Sequence, residues 1–303
     1  MELTDDDVDI LRRVFRHRFV RADDLYRLYA DRSPDKLSRR LMRLYRNGYL
    51  DRPIAQVDRY RAGGSQPMVY GLDSKGARLL SERFGAPVGS GDWKSRNRSY
   101  TRENLDHTLA VAGFLIGLEL ACRLRDDLSL IHAEEIGGAA RWNVPVTWHG
   151  LSGSVQIAPD AIVGLRHRLE DGQARRSFLF VEVDRGTMTI VPVGQVRERE
   201  AFLYRATILR KLLTYAESYR QGLHKEHLGI PTARVLFLTT SNGRAKSMQE
   251  AADRFIMPTG RAPPGLFLFG ATESGANPLE LQFLDASGSA AALIPRAVAG
   301  AER

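Results

Sequence analysis

Three carboxylates in the second half of the chain stand where a carboxylate needs a reason. Asp160 follows Pro159 within a strand pattern, and Glu182 and Asp184 close the apolar run FLFVEVDRG at residues 178–186. Side chains two apart on a strand share a face, so Glu182 and Asp184 point the same way. Uncompensated carboxylates on a buried strand are costly, and cations, a metal ion or hydrogen-bond donors must answer them. Downstream, Lys211 and Tyr215 lie four apart in a helical pattern and therefore share its face.

A second group is cationic. Lys36, Ser38, Arg39, Arg40, Arg43 and Arg46 lie off the leucine stripe of one helical segment; Arg32 precedes it, and Arg52, Arg59 and Arg61 follow. Acids are few in this stretch (Asp35, Asp51, Asp58), so the face is not arranged for mutual salt bridging. A helix fits the major groove of DNA, where arginine bonds both acceptors on a guanine edge. Ser38, Arg39 and Arg43 are the candidates for base contacts. The turn Arg59 to Ser65 would lay cations along the backbone or minor groove, giving affinity rather than sequence choice. The alternative is a solvated basic face.

The elements that must position these residues follow from periodicity. Helical spacing covers residues 5–17 and 21–29, and Ser33-Pro34 supplies a cap and a first-turn proline for a third helix. On that helix Leu37, Leu41 and Leu44 share one stripe, and Gly48 is placed to end it. A hairpin over 50–61 and 68–72 turns at Gly63-Gly64, and a helix over 74–84 closes the unit. Three helices and a hairpin make residues 1–84 a winged helix-turn-helix domain. Residues 85–100 carry little apolar periodicity and read as a linker. The spacing then predicts a helix over 101–125, strands at 128–135, 155–165 and 177–184, and a helix over 197–221. A strand at 234–239, a helix over 244–255 and a strand at 265–270 follow. That order suggests an α/β domain with a mixed central sheet over 101–286, with a frayed tail at 287–303.

A chain of 303 residues accommodates two domains, and 43% hydrophobic with 26% charged residues is an ordinary soluble composition. A formal net charge of +8 favours a polyanionic partner. The single cysteine, Cys122, excludes an intramolecular disulfide and a cysteine-based zinc cluster. The acidic start lacks the order of a secretory signal, and the apolar run 109–122 is short for a span and contains Glu119. A cytoplasmic protein with no membrane segment is expected. The histidines lack metal-ligand spacing: His107 reads as a hydrogen-bonded core histidine or as a base reaching the acidic cluster, His132 beside Glu134 and Glu135 is open in the same way, and His224 and His227 read as solvent-facing. Residues 239–243 could bind phosphate at a helix start but lack the glycine spacing and lysine of a P-loop.

Pro159-Asp160 followed after about twenty residues by Glu182-x-Asp184 resembles the PD-(D/E)xK nuclease superfamily, and Lys211…Tyr215 resembles the Gln-x-x-x-Tyr helix of RecB-like nucleases. The whole chain resembles the replication-relaxation family of plasmid and mobile-element proteins. That likeness rests on Tyr70-x-Leu72…Gly76…Leu80, His107, Pro159-Asp160, Glu182 to Thr187 and Lys211…Tyr215, over roughly residues 5–240. The resemblance implies a winged helix followed by a restriction-endonuclease-like α/β domain, DNA (double-stranded) as partner, and a role in plasmid replication or DNA processing. It also implies Mg²⁺ held by Asp160 and Glu182, with Asp184 or Glu135 completing the shell. Asp184 stands where the superfamily places its lysine; Lys211, from the next helix, would replace it. The alternative is a non-enzymatic regulator whose α/β domain serves dimerisation or partner binding, with Glu182 and Lys211 a buried ion pair. Winged-helix proteins often bind as dimers, so a homodimer is open.

Overall fold

The structure, a computed structural model, describes residues 2–57, 66–85, 92–192, 205–272 and 275–294. The chain divides into two compact units, Met1–Ile116 and Gly117–Arg303.

The first unit holds α1 (Asp5–His17), β1 (Phe19–Arg21), α2 (Ala22–Leu28), α3 (Pro34–Arg46), β2 (Leu50–Asp51), β3 (Val69–Leu72), α4 (Ser74–Phe84) and α5 (Trp93–Arg98). The three short strands form an antiparallel sheet in the order β1–β3–β2. Thr4 caps α1 in a capping box with Asp7, and three acids in its first turn suit the positive end of the helix. In α3 the expected stripe is inside: Leu37, Leu41 and Leu44 are buried. Gly48 takes the left-handed conformation (φ 74°) that ends the helix. Ser33 is the N-cap residue of α3, but its hydroxyl makes no cap bond.

Two local expectations differ from the structure. The strand expected over 50–61 stops at Asp51, because Pro53 lacks an N–H for the ladder. A 3₁₀ turn, Ile54–Gln56, follows. There the Gln56 side chain replaces the strand partner, accepting the Val69 N–H at 2.8 Å and donating to Val69 O at 3.2 Å. The tip carrying Arg59 and Arg61 lies outside the described residues. Within the expected linker, Asp92 caps α5 by accepting the Lys94 and Ser95 N–H groups. Asn97 of α5, fully buried, donates to Asp51 (2.9 Å) and to Leu72 O (3.0 Å).

α6 (Arg102–Arg123) runs from the first unit into the second. The second unit continues with β4 (Leu128–Ile131), α7 (Ala133–Ile136), β5 (Trp142–Trp148), β6 (Leu151–Ile157), β7 (Ala161–Arg168) and β8 (Ala174–Val183). Then come α8 (Ile208–Gln221), α9 (Leu223–Leu228), β9 (Arg234–Thr239), α10 (Asn242–Phe255), β10 (Phe267–Ala271), β11 (Phe283–Asp285) and β12 (Ala290–Ala291). Seven strands form a mixed sheet in the order β12–β11–β10–β9–β8–β7–β4. β8–β9–β10 are parallel, and the outer pairs are antiparallel. A separate hairpin, β5–β6, adds Val144, Val146, Val155 and Ile157 to a core with Leu212, Phe180 and Phe237.

The strand expected over 155–165 is two strands belonging to different sheets, broken at residues 158–160 around Pro159. Asp160 therefore sits just before β7 rather than within a strand. The strand expected to reach residue 135 ends at Ile131, where α7 begins with Glu135 accepting the His132 N–H at 2.9 Å. Of the helix expected over 197–221, residues 197–204 lie outside the described residues and 205–207 are not helical: α8 starts only at Ile208, where the extended Thr207 caps it by accepting the Arg210 N–H. Ala290–Ala291, expected in the frayed tail, pairs with β11, and residues 295–303 lie outside the described residues.

Candidate functional site

In the second unit, β8 delivers Glu182 and the position after its end delivers Asp184. Both face the helices, yet each meets a different cation. Glu182 is 3% exposed. The Lys211 ammonium bonds one of its carboxylate oxygens, and the Tyr215 hydroxyl donates to the other at 2.5 Å. The shared face of Lys211 and Tyr215 thus reaches a single carboxylate, as four-residue spacing on α8 requires. Asp160 lies alongside: its Oδ2 accepts the Val183 N–H at 2.8 Å, which holds it one residue from Glu182 on β8.

The electrostatics follow from burial and pairing. Burial pushes the Glu182 carboxyl up from its ordinary value against the pull of Lys211, and the Asp160 charge pushes the same way as burial. Burial works against the Lys211 charge, but Glu182, with Asp160 and Asp184, outweighs it and holds the ammonium above the usual lysine value. The Tyr215 hydroxyl is raised well above its ordinary value, by burial first and then by Glu182. Lys211 is a fixed cation and Tyr215 a fixed donor.

Asp184 is committed elsewhere. Arg244 on α10 bonds both of its oxygens (2.5 and 3.1 Å), and Thr239 Oγ1 and the Gly186 N–H also donate to it, each at 3.0 Å. These donors hold its pKa below the usual range against the effect of burial. The sequence reading missed Arg244, which appeared only as a residue near a helix start. The loop 239–243, weighed there for phosphate, instead supplies Thr239 to Asp184 and Ser241 as the cap of α10.

Asp160 and Glu182 fit a divalent cation of the Mg²⁺ kind in donor chemistry, being two adjacent carboxylates; such an ion takes its other ligands from water and phosphate. Among the described residues no group of three or more His, Cys, Asp or Glu is gathered to hold a metal, so neither Asp184 nor Glu135 adds a third ligand. His224, expected to face solvent, is buried and stacks on Tyr219, and His227 stacks on Trp142.

In the first unit, α3 sorts its cations into two sets. Arg40 folds back onto α1, bonding Thr4 Oγ1 at 2.8 Å and pairing with Asp6 and Asp7 at 3.3 Å each, and Arg32 pairs with Asp6 at 2.9 Å. Lys36, Arg39, Arg43 and Arg46 are exposed, and none forms an ion pair among the described residues. Their spacing of three, four and three places them on one helix face, opposite the leucines. Ser38 shares a 2.5 Å hydrogen bond with Tyr26 of α2, which ties down one candidate base reader. Arg52 donates to Tyr70 Oη at 3.0 Å and lies over the Tyr45 ring.

No curated protein and no solved structure matched the chain. The family model for replication-relaxation matches residues 11–233. That span takes in α3 with its cations, Asp160, Glu182 and the Lys211–Tyr215 helix, and on it the chain belongs to the replication-relaxation family.

Proposed function

We propose that this protein binds duplex DNA in plasmid or mobile-element replication, in the cytoplasm, through a winged helix-turn-helix formed by its first unit. The observation that carries this reading is the exposed face of α3, where Lys36, Arg39, Arg43 and Arg46 present four cations with no paired acid among the described residues. Cations on one groove-sized helix suit a phosphate-flanked major groove, with Arg39 and Arg43 reaching base edges. Arg40, paired with α1, sets how α3 is held rather than touching DNA.

The second unit carries a nuclease-like centre of the PD-(D/E)xK kind. Asp160 and Glu182 would hold Mg²⁺, which when bound polarises a phosphodiester for attack by water. Lys211 supplies the cation that the sequence lacks at residue 184 and favours the charged form of Glu182 against the effect of burial. Tyr215 fixes the carboxylate rotamer from the other oxygen. Arg244 draws Asp184 aside and keeps its charge from repelling phosphate.

One observation favours the second reading, a non-enzymatic regulator that binds as a dimer or to a partner: both Glu182 oxygens are already satisfied within the fold. Cleavage of supercoiled plasmid with Mg²⁺ separates the two. Glu182→Gln and Asp160→Asn should each lower cleavage at least about 100-fold while leaving DNA affinity in chelator unchanged. Wild-type protein that binds DNA and never cuts it assigns the regulator reading. Affinity that survives Arg39→Ser with Arg43→Ser overturns the α3 interface.

A further inference from the structure

We propose that the β7–β8 hairpin carries a second contact surface for the sugar–phosphate backbone of DNA, formed by Arg166, Arg168 and Arg176. This rests on the chain being a DNA-binding protein, but on none of the residues of α3.

The argument begins with register. Arg166 on β7 stands directly opposite Arg176 on β8, and Arg168 stands opposite Ala174. Alternation along the strands puts Arg166, Arg168 and Arg176 on one face. All three are exposed, and β4 adds only the exposed Ser129 beside Arg166. Like charges directly opposed across two strands destabilise the pair. None of the three arginines forms an ion pair or side-chain hydrogen bond among the described residues.

Glu170, exposed in the turn, pairs with none of the three arginines, and the two other acids flanking the hairpin are used elsewhere. Asp127 takes Arg125 at 2.5 Å and His167 at 3.0 Å, and His167 lies on the opposite face of β7. Asp171, in the turn, accepts the Gln173 N–H at 2.9 Å. The turn-side end of that face therefore carries three cations with no anion paired to them among the described residues, at a cost to the hairpin's own stability. An anion brought from outside removes that cost.

The geometry selects a polyanion. The face is open, with no buried polar group to enclose a small ion, and three exposed guanidinium groups match several phosphates rather than one. Arg176, Phe178, Phe180 and Glu182 alternate on the same face of β8, which places the cluster about 20 Å along the strand from Glu182. That separation is less than one turn of duplex, so a single DNA segment spans both. Guanidinium contacts to phosphates fix register and affinity without reading sequence.

The test uses the full chain and a labelled duplex, with affinity measured across a salt series. Each phosphate contact contributes about 0.9 to the slope of log affinity against log salt. Arg166→Ser, Arg168→Ser and Arg176→Ser together should lower that slope by about 2 to 3 and weaken binding at least tenfold at low salt. Without DNA the triple variant should melt at the same or a higher temperature, because the opposed charges are gone. An unchanged slope assigns the face to some other anionic partner and overturns the proposal; so does a lower melting temperature. A slope that falls only with Arg39→Ser and Arg43→Ser leaves the α3 reading standing and this one refuted. A slope that falls only with the hairpin variant does the reverse.

Discussion

A carboxylate as deeply buried as Glu182 persists only because Lys211 and Tyr215 meet its two oxygens. Removing one partner of a buried pair leaves a charge without an answer, and the loss exceeds the net worth of the pair. Lys211→Met should destabilise the second unit by about 2 kcal/mol, at the mild end because about a third of Lys211 is open to water. Adding Glu182→Gln should restore most of it. Urea unfolding of both variants reads this, and a single variant as stable as the parent would show that the pair is dispensable. Gly76 makes a different point. A Cβ there would sit 2.3 Å from the Tyr49 carbonyl oxygen, so Gly76→Ala should lower the first unit's stability by about 1–3 kcal/mol. A thermal midpoint that does not fall counts against that packing. At this scale Lys211 and Tyr215 were legible, since four-residue spacing on a helix is a local rule. Arg244 was not: it meets Asp184 from 60 residues away, and nothing local marks such a pair.

At the scale of elements, α3 shows how far periodicity reaches. Three leucines fixed its buried side, and the opposite side was cationic by elimination. What periodicity left out is that α1 takes Arg40 of α3, and Arg32 just before it, for its own first turn. Asp6 and Asp7 both stabilise the start of α1 and dock Arg32 and Arg40, so the acids compete with phosphate for the same guanidinium groups. Asp6→Asn releases Arg32 from its only paired acid among the described residues, while Asp7 still holds Arg40. Binding to random duplex should then tighten and its salt slope steepen by up to about 1. Titrations at several salt concentrations check this, and an unchanged slope means that Arg32 points away from DNA. α5 and the 3₁₀ turn Ile54–Gln56 escaped the sequence reading for a related reason. Asn97 and Gln56 build structure with side-chain amides where strands or apolar contacts were sought. Polar anchors of this kind carry no periodicity.

For the whole molecule, α6 poses the sharpest question, because a helix apolar all round belongs either in a core or in a bilayer. The helix is 22 residues long and its most apolar 18-residue window has a mean hydropathy of 1.5, enough by length and composition to cross a membrane, although the apolar run 109–122 is short for one. Burial argues for the core. None of residues 105–122 is exposed, and Leu109, Phe114, Leu118 and Cys122 are all buried in the fold. Gly117 faces the Ala276 carbonyl and the Pro278 ring so closely that a Cβ would come within 3.2–3.3 Å of them. Glu119, in the same apolar stretch, pairs with Arg123 at 2.6 Å, and burial lifts the Cys122 thiol to about 11. A lipid-facing helix would waste these contacts and leave Glu119 in hydrocarbon. A chain with a net charge of +8 will still cling to anionic lipid and to nucleic acid in a lysate, so simple pelleting is no test. After nuclease treatment and a high-salt wash, the protein should remain in the supernatant. Retention in the membrane pellet through an alkaline wash would place α6 in the bilayer and overturn its burial in the fold.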